Sequence, residues 1–319
     1  MPAQRIIRFL KNWTLPVAIT IGAIAYLTFY LIKPLDNLGN RLAPGFDLIF
    51  PLFVFLTLLV TFCKVDFHQM RPHRWHARVL LAQLLLIAAN IAVIYSIRDN
   101  QQHKILGEAL LTCIIGPTAS AAPVVVGKLG GNISTMTTYV IISSLASAIL
   151  IPLVFPILEH TLHVHFITAF INILNKVAIV LLLPLLLGWI IQHRMPQLQQ
   201  RIAKMPNLSF YFWAVSLSIT SGITVKNIVH SNAHVSLLLA IAATTLTLCF
   251  LQFVIGRAVG RWKGEELNAG QALFQKNTAL SIWVAYMYLN PVASIGAGCY
   301  VLWQNIVNSI EIWQTRKKH

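Results

Sequence analysis

Charged residues are scarce in this chain of 319 residues. Only 10% of them are charged and 57% are hydrophobic, whereas soluble domains carry about 25% charged residues. This composition excludes an ordinary soluble protein. The long apolar runs each have about 20 residues, the length that a helix needs to cross a hydrocarbon core about 30 Å thick. Because lipid offers the backbone no hydrogen bonds, we expect these runs to be helices and the fold to be all-α.

Cysteines and catalytic motifs are also few. The four cysteines, Cys63, Cys113, Cys249 and Cys299, lie in or beside apolar runs and have no CxxC spacing. We interpret them as packing residues and predict neither disulfides nor a metal site. No HExxH or GxSxG motif occurs, so no catalytic residue and no enzyme activity are predicted. No small-residue cleavage pattern follows the first apolar run, which favours a retained span over a cleaved signal.

The apolar runs predict a polytopic membrane protein with ten transmembrane segments. In chain order, segments 1 to 10 are expected near 13–32, 46–65, 76–97, 105–127, 132–158, 166–191, 207–225, 235–256, 268–289 and 292–313. Five segments per half is an odd number, so two related halves must lie in opposite orientations in the membrane. We therefore predict two inverted five-helix repeats, 1–158 and 159–319.

The basic residues predict the orientation of these segments, because cytoplasmic connections are enriched in lysine and arginine. With both termini in the cytoplasm, Lys176 and Lys276 lie within segments and most of the other Lys and Arg residues lie inside. The outside connections then carry only Lys33, Arg41, Arg98, Lys104 and Lys226. The formal net charge of +15 is thus spread over cytoplasmic loops that meet anionic lipid. We predict a cell inner membrane location, a lipid bilayer as partner and no nucleic acid.

One segment in each half is interrupted by polar residues. The interruption in segment 9 is 274–278, with Lys276 about 13 Å deep, and the one in segment 4 is 116–123. A charge at this depth is costly, so its default interpretation is functional. Interrupted segments at matching positions in two halves indicate a transporter's binding site. The candidate site residues are Pro117, Thr118, Ser120, Ala122, Pro123, Gln275, Lys276, Asn277, Thr278 and Asn305.

Several short motifs carry a family resemblance. They are 117–120 (PTAS), 182–188 (LLPLLLG), 275–280 (QKNTAL) and 303–306 (WQNI). Together they resemble the bile acid:sodium symporter family, within a wider group that includes arsenite exporters. The resemblance implies a panel domain of helices 1, 2, 6 and 7 and a core domain of helices 3–5 and 8–10. It also implies that helices 4 and 9 are broken and cross each other beside the substrate cavity. The implied substrates are organic anions such as bile acids or small carboxylates.

The chain departs from this family at its sodium sites. The family's Ser-Asn pair of segment 4 falls on Ala122 and Pro123. Its segment 5 hydroxyls fall near Met136 and Val140, and Thr137 and Thr138 are close by. Its segment 9 Glu and Gln fall on Ala272 and Lys276. A gap placed differently puts the Glu on Lys276. Only Gln83 matches a residue of the family's sodium site. Hard cations need oxygen ligands, so we expect no sodium at these positions and no other cofactor.

Lys276 is expected to take the place of sodium by donating to the carbonyls at the ends of the broken helices. It could instead exchange protons and couple transport to them, or extend its side chain towards the cytoplasm. The predicted function is a secondary transporter of an organic anion. Alternatives are an arsenite-type oxyanion exporter, for which Cys113 is only loosely placed, and a membrane sensor without transport. The sequence does not predict the oligomeric state, and a monomer is compatible with it.

Overall fold

A computed structural model describes residues 14–64, 70–158, 166–205, 207–231, 233–262 and 264–318, and these are almost entirely helical. The first seven helices are α1 (Thr14–Leu31), α2 (Lys33–Lys64), α3 (Arg74–Ile97), α4 (Gln101–Ile115), α5 (Ala122–Lys128), α6 (Ile133–Leu158) and α7 (Phe166–Arg194). The others are α8 (Pro196–Ala203), α9 (Leu208–Val229), α10 (Val235–Arg261), α11 (Glu266–Phe274), α12 (Thr278–Tyr288), a 3-10 turn (Pro291–Ala293) and α13 (Ser294–Lys318).

Within the described residues, five helical stretches are long and apolar enough to cross a membrane. They are α3, α6, Phe170–Arg194 of α7, Tyr211–Val229 of α9, and α10. The predicted segments 4 and 9 do not contain a single helix long enough to cross a membrane, because each is divided into two shorter helices. The chain is therefore an all-helical, multi-pass membrane protein. Ten spans in two inverted repeats stay a prediction, and the connection at 159–165 between the predicted repeats lies outside the described residues.

Helices α1, α2, α7 and α9 pack against one another, and we call them the panel group. The closest approach is between α1 and α9, where a Cβ on Gly22 would lie 1.9 Å from the main-chain oxygen of Ser218. The Ser218 hydroxyl donates to the main-chain oxygen of Ala18 at 2.8 Å. Small residues allow this backbone contact, as they do between many membrane helices.

The remaining long helices, α3 to α6 and α10 to α13, form a second set that we call the core group. Its strongest contact is between α10 and α11. Helix α13 lies against α4 so closely that a Cβ on Gly296 would be 2.5 Å from the Ala109 main-chain oxygen. Helix α6 also packs on α7 and so joins the two groups. Both broken helices belong to the core group, which places their breaks in the protein interior.

Candidate functional site

The two helix breaks meet inside the core group. Thr118 and Lys276 form an antiparallel β-bridge, the only one in the described part of the chain. The Ala119 amide donates to the Gln275 oxygen and the Asn277 amide donates to the Pro117 oxygen, both at 2.8 Å. Pro117 has no amide of its own, so its position at the break leaves no donor unpaired. We call residues 116–121 and 275–277 the crossing. The breaks predicted from the two polar interruptions are confirmed.

The ends of α4 and α11 point into the crossing, and side chains from other helices bind their last carbonyls. A helix leaves its final carbonyls without intrahelical partners, so a buried end needs such donors. At α4 the bonds are Gln83 Nε2 to Ile114 O (2.9 Å) and Gly116 O (3.2 Å), Ser147 Oγ to Ile115 O (2.8 Å) and Gln252 Nε2 to Cys113 O (3.2 Å). At α11 they are Thr118 Oγ1 to Ala272 O and Tyr300 OH to Phe274 O, both 2.7 Å.

Gln304 of α13 holds the main chain of Lys276 from both sides. Its Oε1 accepts from the Lys276 amide at 3.0 Å and its Nε2 donates to the Lys276 oxygen at 3.3 Å. The sequence expectation named the next residue, Asn305, but the Asn305 amide group donates to Val301 O of its own helix at 2.7 Å. Gln304 lies in the same WQNI motif and was not among the predicted site residues, while a role for Asn305 in substrate binding stays a prediction.

The start of α12 is held by a side chain of the crossing. The Asn277 Oδ1 accepts from the Leu280 amide at 3.2 Å and so caps the helix. The Thr278 side chain is buried, and its amide donates to the Lys276 oxygen at 2.9 Å. The Gln275 side chain is buried as well, and its Oε1 has no partner among the described residues.

The Lys276 side chain is 1% exposed and is among the largest fully buried side chains of the described chain. Its Nζ has no hydrogen-bond partner among the described residues. The expectation that this ammonium donates to the carbonyls of the broken helices is therefore wrong. Gln83, Gln252, Ser147, Thr118 and Tyr300 already bind those carbonyls. Lys276 is held through its main chain.

A small cavity lies between the crossing and the panel group. Its crossing side is formed by Ala119, Ser120, Asn277 and Ala279, and its panel side by Val54, Thr57, Trp213 and Ser216. Its volume is about 10 Å³, which is room for about one water molecule. The panel and core groups are therefore closed against each other at the level of the crossing.

The sequence matches the model of the sodium bile acid symporter family over residues 51–231. That match covers more than half of the chain. This protein belongs to the sodium bile acid symporter family. Members of the family are transporters, so the protein is a membrane transporter of the bile acid or organic anion type rather than an enzyme. A search of curated proteins gave no match. The matched region includes the break between α4 and α5 and ends before Lys276.

The residues that the resemblance assigns to the family's sodium positions pack as apolar side chains. Ala122, Met136 and Ala272 are fully buried in one hydrophobic cluster that also contains Trp75 and Tyr139. Pro123 and Val140 are buried too. The side chains at these positions offer no oxygen to a hard cation. Thr137 and Thr138 lie nearby in α6, and each hydroxyl donates to a carbonyl one turn earlier in its own helix.

Gln83, the residue that matches the family's sodium site, acts here as a helix cap. Its amide nitrogen binds two carbonyls of the α4 end, while its Oε1 is buried without a partner among the described residues. The side chain is 1% exposed. A residue that the resemblance assigns to an ion site therefore contributes to the crossing by holding the broken helix.

Cys113, the residue on which the arsenite alternative depends, is buried inside the core group. Its thiol donates to the Ala109 oxygen at 3.3 Å and does not line the cavity beside the crossing. A thiol that coordinates a transported oxyanion must be reachable from the transport path. The position of Cys113 therefore gives the exporter alternative no support.

A carboxylate lies about two helical turns along α13 from Gln304. The Arg257 guanidinium forms an ion pair with Glu311, whose other oxygen accepts from Gln271 Nε2 at 2.6 Å. This cluster connects α10, α11 and α13. Because Glu311 is already paired with Arg257, it does not replace the glutamate that the resemblance places at Ala272.

Proposed function

We propose that this protein transports an organic anion independently of sodium, with Lys276 as a fixed cation at the crossing. One observation carries the proposal. The residues that the resemblance assigns to the family's cation positions are packed apolar side chains, and the buried side chain of Lys276 belongs to the crossing beside them. A sodium ion would meet methyl groups there and an ammonium group nearby.

The helix geometry supports a positive charge at this point. Helices α4 and α11 both end at the crossing, and each helix C-terminus carries a partial charge of about −0.5. Two such ends together offset about one positive charge. In the proposed mechanism Lys276 supplies this charge permanently, so no cation has to bind before the substrate. The ammonium thus stabilises the crossing through the field of the helix ends and not through hydrogen bonds.

The proposed transport step is a movement of the core group against the panel group. The cavity of about 10 Å³ beside Ser120 and Asn277 is too small for an organic anion, so the two groups must separate to admit one. We place this movement in a ten-span inverted-repeat architecture in the cell inner membrane, with both termini cytoplasmic. The excess of basic residues in the inside connections supports that orientation.

The test is uptake of radiolabelled taurocholate and small carboxylates into proteoliposomes. Sodium is replaced by choline at constant ionic strength, and wild type is compared with Lys276→Gln. Lys176→Gln is the matched control, because Lys176 is exposed and its ammonium lies 5.6 Å from the centre of the Tyr288 ring. The proposal predicts equal wild-type uptake in both salts and loss of uptake only in Lys276→Gln. Uptake that requires sodium would overturn it.

Two other roles give different results in the same assay. As a fixed cation, Lys276 stabilises the two helix ends, so Lys276→Gln lowers the free energy of unfolding by about 1 kcal/mol. As a proton-exchanging group, Lys276 makes uptake respond to a pH gradient, and Lys276→Gln removes that response with unchanged stability. If wild type binds the anion but no flux occurs in liposomes, the protein is a sensor.

A further inference from the structure

The short helix α8 lies where the chain passes from one membrane-spanning helix to the next. The spanning stretch of α7 ends at Arg194 and that of α9 begins at Tyr211, and α8 lies between them. Met195 separates α8 from α7, because its backbone, with φ −132° and ψ 59°, is not helical. Near the end of α7 the Trp189 ring is exposed, and tryptophan is enriched at the boundary between lipid and water. We therefore place α8 at the membrane surface.

Helix α8 is attached to the panel group on one side only. The side-chain amide of Gln199 donates to the main-chain oxygen of Cys63 at 3.3 Å, and that of Gln192 on α7 donates to the same oxygen at 3.3 Å. Lys64 Nζ donates to the Met205 oxygen at 2.7 Å. The first two bonds satisfy a carbonyl at the end of α2, which has no partner within its own helix. No residue of α8 is buried, so the rest of its surface faces away from the protein.

The charged side chains of this surface are all basic. Arg194, Arg201 and Lys204 are exposed, and none of them has a carboxylate within ion-pair distance in the described part of the chain. The sequence contributes to this, since it has no Asp or Glu between Glu159 and Glu265. The positive charge of the surface is therefore open to an anionic partner from outside the chain.

Apolar side chains form a neighbouring stripe on the same helix. Leu198 and Ile202 are four residues apart and share one face, and Met195 and Met205 extend the stripe at its two ends. Leu198 and both methionines are exposed. Arg201 is about 100° around the helix from Ile202, so a basic side chain lies at the border of the stripe. A helix with this pattern lies in the membrane interface, with its apolar face against acyl chains and its basic face among headgroups.

We propose that α8 and the residues beside it form a binding site for anionic phospholipid. The headgroup phosphates bind Arg194, Arg201 and Lys204, and the acyl chains contact the stripe at Leu198. In the predicted orientation this lipid belongs to the cytoplasmic leaflet. Because α8 is bonded to the end of α2, the bound lipid anchors the panel group to the membrane surface. The site depends neither on Lys276 nor on the identity of the transported substrate.

A lipid fits this surface better than a soluble anion does. A free phosphate would use only the three basic side chains and would leave Leu198, Met195 and Met205 in water. An anionic lipid uses both parts of the surface at once. A zwitterionic lipid offers the same acyl chains, but its amine offsets the charge of its phosphate. The pattern therefore favours phosphatidylglycerol over phosphatidylcholine.

The test is the Tm of the full chain in phosphatidylcholine nanodiscs that contain an increasing fraction of phosphatidylglycerol, since a ligand that binds only the folded protein raises Tm. Wild type is compared with Lys204→Gln, with Arg201→Gln/Lys204→Gln and with the charge-conserving Arg201→Lys/Lys204→Arg. The matched control is Arg71→Gln/Lys128→Gln, which removes two exposed basic residues before α3 and at the end of α5. The Tm in phosphatidylcholine alone reports whether each variant is folded.

We expect the wild-type Tm to rise with the fraction of phosphatidylglycerol and then to level off. One basic residue near an anionic membrane surface changes binding by about 5-fold. Lys204→Gln therefore needs about 5-fold more phosphatidylglycerol for half of the rise, and Arg201→Gln/Lys204→Gln shows almost no rise. The charge-conserving variant and the control respond as wild type does. Leu198→Gln also reduces the rise, because the acyl contact is lost.

Three results would overturn the proposal. The first is a wild-type Tm that does not depend on phosphatidylglycerol. The second is an equal loss of the rise in Arg71→Gln/Lys128→Gln, which would show a diffuse attraction to the total charge of the protein. The third is a full rise in phosphatidylcholine nanodiscs when glycerol phosphate is added to the buffer, which would show that the site takes a free phosphate.

Discussion

Replacing Gln304 by leucine tests whether the crossing is held by side-chain bonds to the Lys276 main chain. Gln304 is 2% exposed. Its amide makes both bonds to Lys276, at 3.0 Å to the nitrogen and 3.3 Å to the oxygen. Leucine has a similar volume and can make neither bond. The Lys276 amide is then buried without a partner, while the Lys276 oxygen keeps only the bond from the Thr278 amide.

The expected loss follows from the cost of those two groups. An unsatisfied buried polar group costs about 1–3 kcal/mol, whereas hydrogen bonds between membrane helices average about 0.6 kcal/mol. For the pair we therefore expect the free energy of unfolding to fall by about 1–3 kcal/mol. At about 2–4 °C per kcal/mol for a large domain, Gln304→Leu lowers Tm by roughly 5 °C.

Thermal unfolding of purified variants in one detergent measures this shift. Gln314→Leu is the matched control, because it makes the same substitution at an exposed position of the same helix. If Gln304→Leu unfolds at the same temperature as Gln314→Leu, the crossing does not depend on these bonds and the reasoning is refuted.

Two further predictions concern helix contacts. Gly296→Ala brings a methyl group to about 2.5 Å from the rigid main-chain oxygen of Ala109, so Tm falls by several degrees. Gly45→Ala is the control, because Gly45 has open space around it and its Tm does not fall. Equal Tm values for the two variants would contradict the close α4–α13 contact. The side-chain amide nitrogen of Asn227 on α9 donates to Ser294 Oγ on α13 at 2.7 Å, between the panel and core groups. In a background without native cysteines, a disulfide between Asn227→Cys and Ser294→Cys stops transport, and reduction restores it. Full transport by the cross-linked protein would show that the two groups need not separate there.

The breaks in the two helices could be predicted because their causes are local. Proline removes a backbone donor and a charge at membrane depth is costly, so Pro117, Pro123 and Lys276 marked the two interruptions. Proline alone does not break a helix, since Pro152 and Pro156 lie inside α6 and Pro184 lies inside α7. The sequence also indicated that the two breaks lie together, because interrupted segments in two halves of a transporter share one site. The bridge between Thr118 and Lys276 confirms this.

The partners of the crossing could not be predicted in the same way. The donors to the helix ends include Ser147, Gln252 and Tyr300, which lie on α6, α10 and α13. Their approach depends on how whole helices pack. For the same reason the sequence favoured Asn305 over Gln304, since a rotation of about 100° along α13 decides which of them reaches Lys276.

The sequence predicted the bounds of the apolar part of each helix, and not where the helix itself begins and ends. Segment 2 was expected at 46–65, whereas α2 is Lys33–Lys64. Segment 10 was expected at 292–313, whereas α13 is Ser294–Lys318. Hydropathy reports the apolar part of a helix, and a helix continues into water as long as its backbone bonds continue. The large cavity where α9 ends and α10 begins was not predicted at all, because its lining residues come from four separate parts of the chain.

The most direct test of the central claim is uptake of organic anion by wild-type proteoliposomes with and without a sodium gradient, at constant ionic strength and pH. If Lys276 is the fixed cation of the crossing, the initial rate is the same in both conditions, because no sodium has to bind. A rate that rises with the sodium gradient and saturates with sodium concentration would show that a cation still binds, and would contradict this account.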